Sequence, residues 1–438
     1  MNQVLTEISE KIRQQFDTGP YPRIPLEKSP KDDAIALYIH SLVNAYYLRN
    51  QKVISTEGKL ILDAGCGSGY KSLILAEANP GAKIVGVDIS ANSIELAKQR
   101  LQYHGFDNTQ FYVCRIEELA TLGLQFDYIN CDDVLYLLSE PAIGLQAMKS
   151  VLKPNGIIRA NLHSSLQRTY YYRAQEVFKM MGLMDENPQE LEIDLVRDTM
   201  NALKDQVKLK ALTWSPQLEA DPERILMNLL FQGDKGYTIP ETFAAIRKAE
   251  LEFISMVNWR QWNLMELFKE PDDLPVFLAM SLPEISVEEQ LTLFELLHPV
   301  HRLLDFWCGH PQQEQDFVLV ADWTLSEWET TRIHLVPQLR TPEIKQELLK
   351  SVSQLNTFEI SQYLPIVEKH VSIDSTVAAC LLPLWEAPQS MRSLVAHWQK
   401  IRPVNLATLK PFSANEALEV LRNALVGLES RGYILVER

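Results

Sequence analysis

The stretch that most limits what this chain can fold into is LILDAGCGSGY at residues 60–70. An apolar run of buried-strand type passes straight into Gly65, Gly67 and Gly69 and then into a helix from about Tyr70. Glycine lets the backbone turn sharply there, and it lets a ligand reach the N–H groups at the helix start with no Cβ in the way. The same alternation continues through AKIVGVDIS, SIELAKQRLQYHG, TQFYVCRI, FDYINCDDVL, AIGLQAMKSVL and GIIRANLH. Such alternation builds a parallel sheet covered by helices on both faces, an α/β fold.

Outside that block the pattern changes. MNQVLTEISEKIRQQF places Val4, Ile8, Ile12 and Phe16 four apart among charged residues, an amphipathic helix without a signal peptide's apolar run. DTGPYPRIPLEKSP has prolines at 20, 22, 25 and 30, which block regular hydrogen bonding and force an extended strap, either a lid or a rigid connector. With a helix expected over 32–50, residues 1–50 read as N-terminal helices and a proline-rich lid. From Ser165 to about Arg224 the chain turns helical and charged where a doubly wound sheet would proceed to its next strand, which marks an inserted cap. LEFISMVNW and DFVLVADW (316–323) are expected as the last two strands, with a second helical insertion near 264–314. That domain spans 51–324. Residues 325–438 read as a mostly helical second domain closing on a helix, a Gly turn and a short strand, as in winged-helix-like modules.

A chain of 438 residues exceeds what one core usually organises, in keeping with two domains. The formal net charge of -15 repels phosphate backbones and argues against nucleic acid as a partner. Cys66, Cys114, Cys131, Cys308 and Cys380 are scattered and odd in number, which indicates neither a disulfide framework nor a cysteine zinc site and suits a reducing cytoplasm. No stretch supplies the roughly 20 apolar residues a bilayer crossing needs.

The spacing G-x-G-x-G differs from the G-x-G-x-x-G of dinucleotide binders. Asp63, just before it, would repel a pyrophosphate but suits a ligand carrying an ammonium and a sulfonium. Asp88 ends a strand in IVGVDIS, where its carboxylate can accept from both ribose hydroxyls, a trait of any adenosine ligand. Together with F-D-Y-I and V-L-K-P-N-G, these motifs over roughly 58–163 resemble the class I S-adenosylmethionine-dependent methyltransferase family. The resemblance implies a Rossmann-like seven-stranded sheet with its last strand antiparallel, and S-adenosyl-L-methionine lying across the C-terminal ends of the first strands.

It also implies roles. Gly65, Gly67 and Gly69 contact the methionine part, Asp63 orients that end, and Asp88 holds the ribose beside Ile89. Asn130, Cys131 and Asp132 border the methionine group and the acceptor. At the third strand's end the family carries an acid for the adenine amino group, whereas this chain has Cys114, Arg115, Ile116 and Glu117. The adenine contact therefore falls to Glu117 or to the Ile116 backbone. The Pro-Tyr-Pro-Arg strap, Y-T-I-P-E at 237–241 and the helical C-terminal region resemble bacterial methyltransferases with an appended regulatory-type domain, a group that includes protein lysine methyltransferases.

In such an enzyme the main catalytic task is to align acceptor, methyl carbon and sulfur, and a base helps where the acceptor must lose a proton. Asp132 and Asp133 after the fourth strand and His163 at the end of the fifth are the candidates, because both strand ends face one cleft. A polar residue at a strand end also often does no more than cap the next helix. In RTYYYR, Tyr170 and Arg173 either wall the acceptor or pack the cap onto the sheet; Tyr21 and Arg23 of the strap would close over the site. His298, His301, Cys308 and His310 have a metal-like spacing, but such residues on apolar segments are usually packed and hydrogen-bonded, so no metal is expected.

The expected acceptor is an O or N atom of a small-molecule or peptide-like metabolite. Alternatives are a protein recruited by the C-terminal domain, or a non-catalytic role in binding S-adenosylmethionine. A second copy of the chain, in a homodimer, is a candidate partner.

Overall fold

Where apolar runs are bounded by turn residues, the chain forms strands: β1 (Leu60–Ala64), β2 (Lys83–Asp88), β3 (Thr109–Val113), β4 (Phe126–Cys131), β5 (Leu152–Ser164), β6 (Gly236–Tyr237), β7 (Glu252–Met256) and β8 (Leu303–Gly309). This computed structural model describes residues 21–311, 318–367, 369–405 and 408–438. The amphipathic helix expected at residues 1–16 lies outside them.

Seven strands follow the order β3-β2-β1-β4-β5-β8-β7, with the short β6 beside the end of β5. Pairings among β1 to β6 are parallel, whereas β8 runs antiparallel to both neighbours, β5 and β7. This is the α/β sheet the alternation predicts, in the Rossmann-like seven-stranded form the family resemblance implies. The strand order reverses between β1 and β4, and that reversal opens a crevice at their C-terminal ends, where open α/β sheets take ligands.

Three helices that follow strands, Tyr70–Ala78, Ala91–Tyr103 and Pro141–Ser150, cover the sheet. After β5, five helices between Thr169 and Leu229 pack around their own centre of Ala174, Phe178, Val196, Met200, Ile225 and Leu229. In the C-terminal region Arg332–Leu335 pairs antiparallel with Gln389–Ser390 on one side and Ile434–Glu437 on the other. The core beneath joins Trp328, Trp398, Leu421 and Tyr433 to Tyr38, Val43 and Tyr47 from the first helices. The Tyr47 hydroxyl clamps this union, donating to Glu429 at 2.9 Å and accepting from the Val436 N–H at 3.1 Å. Among the described residues no helix is long and apolar enough to cross a membrane.

Three expectations are corrected. In the run DFVLVADW the first two residues lie outside the described residues, and 318–323 is not a strand: Val320–Asp322 is a single 3₁₀ turn, and Val320 and Trp323 are apolar because they plug the C-terminal core. The last strand is instead Leu303–Gly309, so the helical stretch expected to reach 314 ends at Leu297. A short apolar run records burial, which a turn or a strand satisfies equally. The helix expected over 32–50 is two, Ala34–Ile39 and Leu42–Asn50, broken where His40 leaves the helix and turns its ring to a buried arginine.

Gly69 shows how closely the turn is fitted. It has φ +81°, and a Cβ there would lie 2.6 Å from the Ala97 Cα of the neighbouring helix. Gly69→Ala is expected to destabilise the protein by about 2–4 kcal/mol, through left-handed strain and overpacking together. A shift in the urea midpoint checks this.

Candidate active site

The crevice holds a cavity of about 400 Å³, walled by the Gly65–Gly67 turn, Lys71, Asp88, Ile89, the segment Cys114–Glu117, and Asp132 with Asp133. Tyr21, Pro22 and Ile24 of the proline strap form its outer wall. Fully buried Arg100 pins the strap, donating to the carbonyls of Ile24 (2.7 Å), Pro25 (2.8 Å) and Ser68 (2.9 Å). Ser68 adds two bonds, from its N–H to the Tyr21 carbonyl and from Oγ to the Pro22 carbonyl. Gly67 is required by this contact, because a Cβ at that position would collide with the Tyr21 carbonyl oxygen.

At one end of the cavity Asp88 accepts from the Gly67 N–H and the Ser90 N–H, both at 2.9 Å. A carboxylate oxygen takes more than one hydrogen bond, so the pair also suits two vicinal hydroxyls. Ile116 and Glu117 line the same end beside Arg115. Asp63, in contrast, is buried beneath the turn, where it accepts from Ser72 Oγ (2.6 Å) and Asn130 Nδ2 (2.9 Å). Burial pushes its carboxyl up to about 6, against the pull of those two bonds.

Two carboxylates occupy the opposite end. Asp132 accepts from Asn161 Nδ2 at 2.6 Å and pairs with Lys71 Nζ at 2.6 Å. Burial would raise its carboxyl, but Lys71 and Arg159 outweigh that and hold it well below the usual range. His40, lowered to about 4 chiefly by burial, stays neutral beside them, with Nδ1 donating to the Ala36 carbonyl and Nε2 accepting from Arg159. Asp133 has φ 58°, an uncommon left-handed conformation held by its N–H donating to Asn161 Oδ1 at 2.9 Å. Burial opposes its ionisation too, yet Arg302 keeps its pKa lowered, with Nη2 at 3.2 Å from both carboxylate oxygens.

Behind Asp133 a chain of polar groups runs from the exposed Arg302 into the buried side chains of His163 and Asp234. Arg302 Nη1 donates to His163 Nε2 at 2.9 Å, which leaves the proton on Nδ1 to be donated to Asp234 at 2.7 Å. Asp234 also accepts from Arg168 (2.8 Å) and Gln175 (3.0 Å), both on the cap side. The His163 ring is 2% exposed and stacks on Tyr136 at 3.9 Å.

Several expected contacts are therefore corrected. His163 cannot serve as a base, since both nitrogens are engaged and the ring is sealed; it braces Arg302. Asn130 and Cys131 sit within the sheet, fully buried, and do not reach the cavity, and Gly69 faces Ala97. Tyr170 and Arg173 stack on each other at 5.4 Å away from the cavity wall. Arg23 is exposed, and its backbone N–H donates to Glu223 of the cap at 3.1 Å, while its side chain does not line the cavity. Of the metal-like set, His301 stacks on Trp262 at 4.3 Å, His310 contacts the Leu152 carbonyl and Cys308 is buried in β8. Sequence reasoning missed Lys71, Arg302 and Asp234. Lys71 had a signal in its place after the glycine turn; the other two are brought in from distant segments.

Comparison with known proteins gives a consistent picture. Residues 55–236 match a family described as a methyltransferase domain. An uncharacterised protein of Synechococcus is 25% identical over 321 residues, covering 72% of this chain and 74% of that one. A ubiquinone biosynthesis O-methyltransferase of Haemophilus ducreyi is 32% identical over 105 residues, 23% of this chain, and the match spans 44% of that enzyme's length. In three dimensions the fold is similar to PKMT2 from Rickettsia typhi, with a TM-score of 0.60 at 17% identity, over 92% of this chain and 76% of that one. The same Rickettsia protein in complex with AdoHcy gives 0.58, over 96% and 77%.

Proposed function

We propose that this chain, which belongs to the class I S-adenosylmethionine-dependent methyltransferases, methylates an O or N atom of a small-molecule or peptide-like acceptor enclosed between strap, sheet and cap. The observation that carries this reading is the roof over Asp133: the strap backbone at Arg23 is bonded to Glu223 of the cap, which favours an acceptor compact enough to fit beneath.

The residues fit the cofactor. A cavity of about 400 Å³ lies within the range of small-molecule sites, roughly 300–1,000 Å³. Asp88 suits the ribose hydroxyls, and the carboxylates at the other end suit an ammonium and a sulfonium. When bound, S-adenosylmethionine supplies an electrophilic methyl carbon on a good leaving group. The protein's work is then mostly alignment. The strap covers one side of the cavity, and Arg302 holds Asp133 in place at its edge. Asp133 accepts a hydrogen bond from the acceptor N–H or O–H, which points the acceptor lone pair at the methyl carbon. Because Arg302 keeps this carboxylate ionised, it would orient the acceptor and offset the positive charge that develops on it, and the proton left on the methylated atom would pass to solvent. Tyr21, whose hydroxyl pKa burial raises, lines the strap side of the cavity.

Asp133→Asn is expected to lower kcat by roughly tenfold to a hundredfold, since small losses of alignment cost that much, while leaving S-adenosylhomocysteine affinity unchanged. Steady-state kinetics with calorimetry tests the split. A protein acceptor, with the C-terminal region recruiting it, is the second reading. The union of that region with the first helices in one core favours it, because such a layer is part of the catalytic unit rather than a tether. Incubation with methyl-labelled S-adenosylmethionine and cell extract distinguishes the two: label is expected in small molecules, and label confined to protein would overturn the first reading. Five unpaired cysteines fit a cytoplasmic setting.

A further inference from the structure

A second cavity, of about 740 Å³, lies outside the cofactor crevice between the edge strand β7, the turns at Trp259–Leu267 and the helices Val276–Ser281 and Val287–Leu297. Its wall includes Trp259, Trp262, Leu264, Leu278, Leu282 and Leu291. The helix Val276–Ser281 buries none of its residues. Leu278 and Ala279 face the cavity, while Val276, Phe277 and Met280 are 75%, 77% and 72% exposed. Apolar side chains on both sides of a short helix leave a groove and its lip without cover, a pattern that marks interaction sites.

The charge around the groove says what covers it. Residues 250–291 hold nine carboxylates against two basic side chains. Asp272 and Asp273 line the cavity itself, Glu270 and Glu284 flank it in sequence, and none of these four has an ion-pair partner among the described residues. An acidic margin repels anionic lipid headgroups and fatty-acid carboxylates, and a neutral small molecule leaves it unused. An apolar floor with an acidic rim is instead complementary to a helix with an apolar face and basic flanks.

We propose that this groove docks an amphipathic segment of a partner polypeptide, with apolar side chains seated in the cavity and Lys or Arg along the Asp272 and Asp273 margin. The groove also adjoins the chemistry. Trp262, in its wall, stacks on His301, and the next residue, Arg302, holds Asp133. A docked segment thus lies against a ring that stacks on the residue before Arg302, one contact away from the brace at the acceptor end. The inference stands whether the acceptor is small or large.

The test uses the full chain and labelled helical peptides of about four turns, read by fluorescence anisotropy. A Leu/Lys peptide is expected to bind at least about tenfold tighter than a Leu/Glu peptide or a Lys peptide lacking the apolar face. Asp272→Lys with Asp273→Lys should abolish that preference while S-adenosylhomocysteine binding, measured by calorimetry, stays unchanged; Leu278→Glu probes the apolar floor separately. Reversing the remote exposed carboxylates Asp198 and Glu343 to Lys should have no effect. The proposal is overturned if the Leu/Lys peptide does not bind, if the other peptides bind equally, if the remote reversals weaken binding as much, or if only phosphatidylcholine vesicles bind.

Discussion

Asp88→Ala is expected to weaken S-adenosylhomocysteine binding by about a hundredfold, close to 3 kcal/mol, which is the loss of two charge-assisted hydrogen bonds after solvent exchange. The substitution also removes the acceptor shared by the Gly67 and Ser90 N–H groups, and so loosens the turn that carries the strap. Calorimetry gives the affinity, and a denaturation curve on the same sample separates that loss from unfolding. Near-normal binding by a folded Asp88→Ala protein would place the ribose elsewhere and remove the basis for the orientation assigned to the cavity.

The second large effect is structural. Asp234→Ala is expected to cost about 3–5 kcal/mol, because the Arg168 guanidinium would remain buried with its carboxylate gone. Arg168 is 1% exposed and, among the described residues, would keep Asn228 as a hydrogen-bond partner and the rings of Tyr171 and Tyr172 beside its guanidinium, none of which carries a countercharge. The same change frees His163 Nδ1, so the brace on Arg302 and Asp133 slackens and kcat should fall as well. Burial alone would raise the Asp234 carboxyl, but His163 and Arg168 lower it to about 2. An acid with a depressed native pKa adds stability that is present above its ordinary value and lost as pH falls through the native one. The gap between wild type and Asp234→Ala, followed by urea denaturation, should therefore be full at pH 6 and narrow between about pH 4 and 2. A gap that stays constant over that range would show that packing, not the ion pair, is what Asp234 provides.

How much of this was legible beforehand depended on the range of the interaction. Strands β1 to β5 and the helices between them were readable because each is an uninterrupted apolar run or a helical repeat ended by its own glycines and prolines. Asp88 was readable because a strand end places its side chain at the crevice wherever the sheet goes. The glycine turn was readable as a turn, yet one reason for Gly67, the Tyr21 carbonyl pressed against it, belongs to a strap 46 residues upstream of the neighbouring Ser68 it also bonds. His163 illustrates the opposite case: its position at a strand end was right, and its partners, Arg302 and Asp234, lie 139 and 71 residues away.

By itself, then, the sequence determined the α/β alternation, the glycine turn after the first strand and an acid at the end of the second, since each follows from local periodicity and backbone geometry. Tertiary structure alone decided that 303–309 completes the sheet, that Val320 and Trp323 plug the C-terminal core instead of forming a strand, and that Arg302 reaches Asp133. Burial pattern states that a residue is covered but not by what; the partner is chosen only when distant segments meet, and there a carboxylate's neighbours settle whether it serves as a base or as a fixed charge.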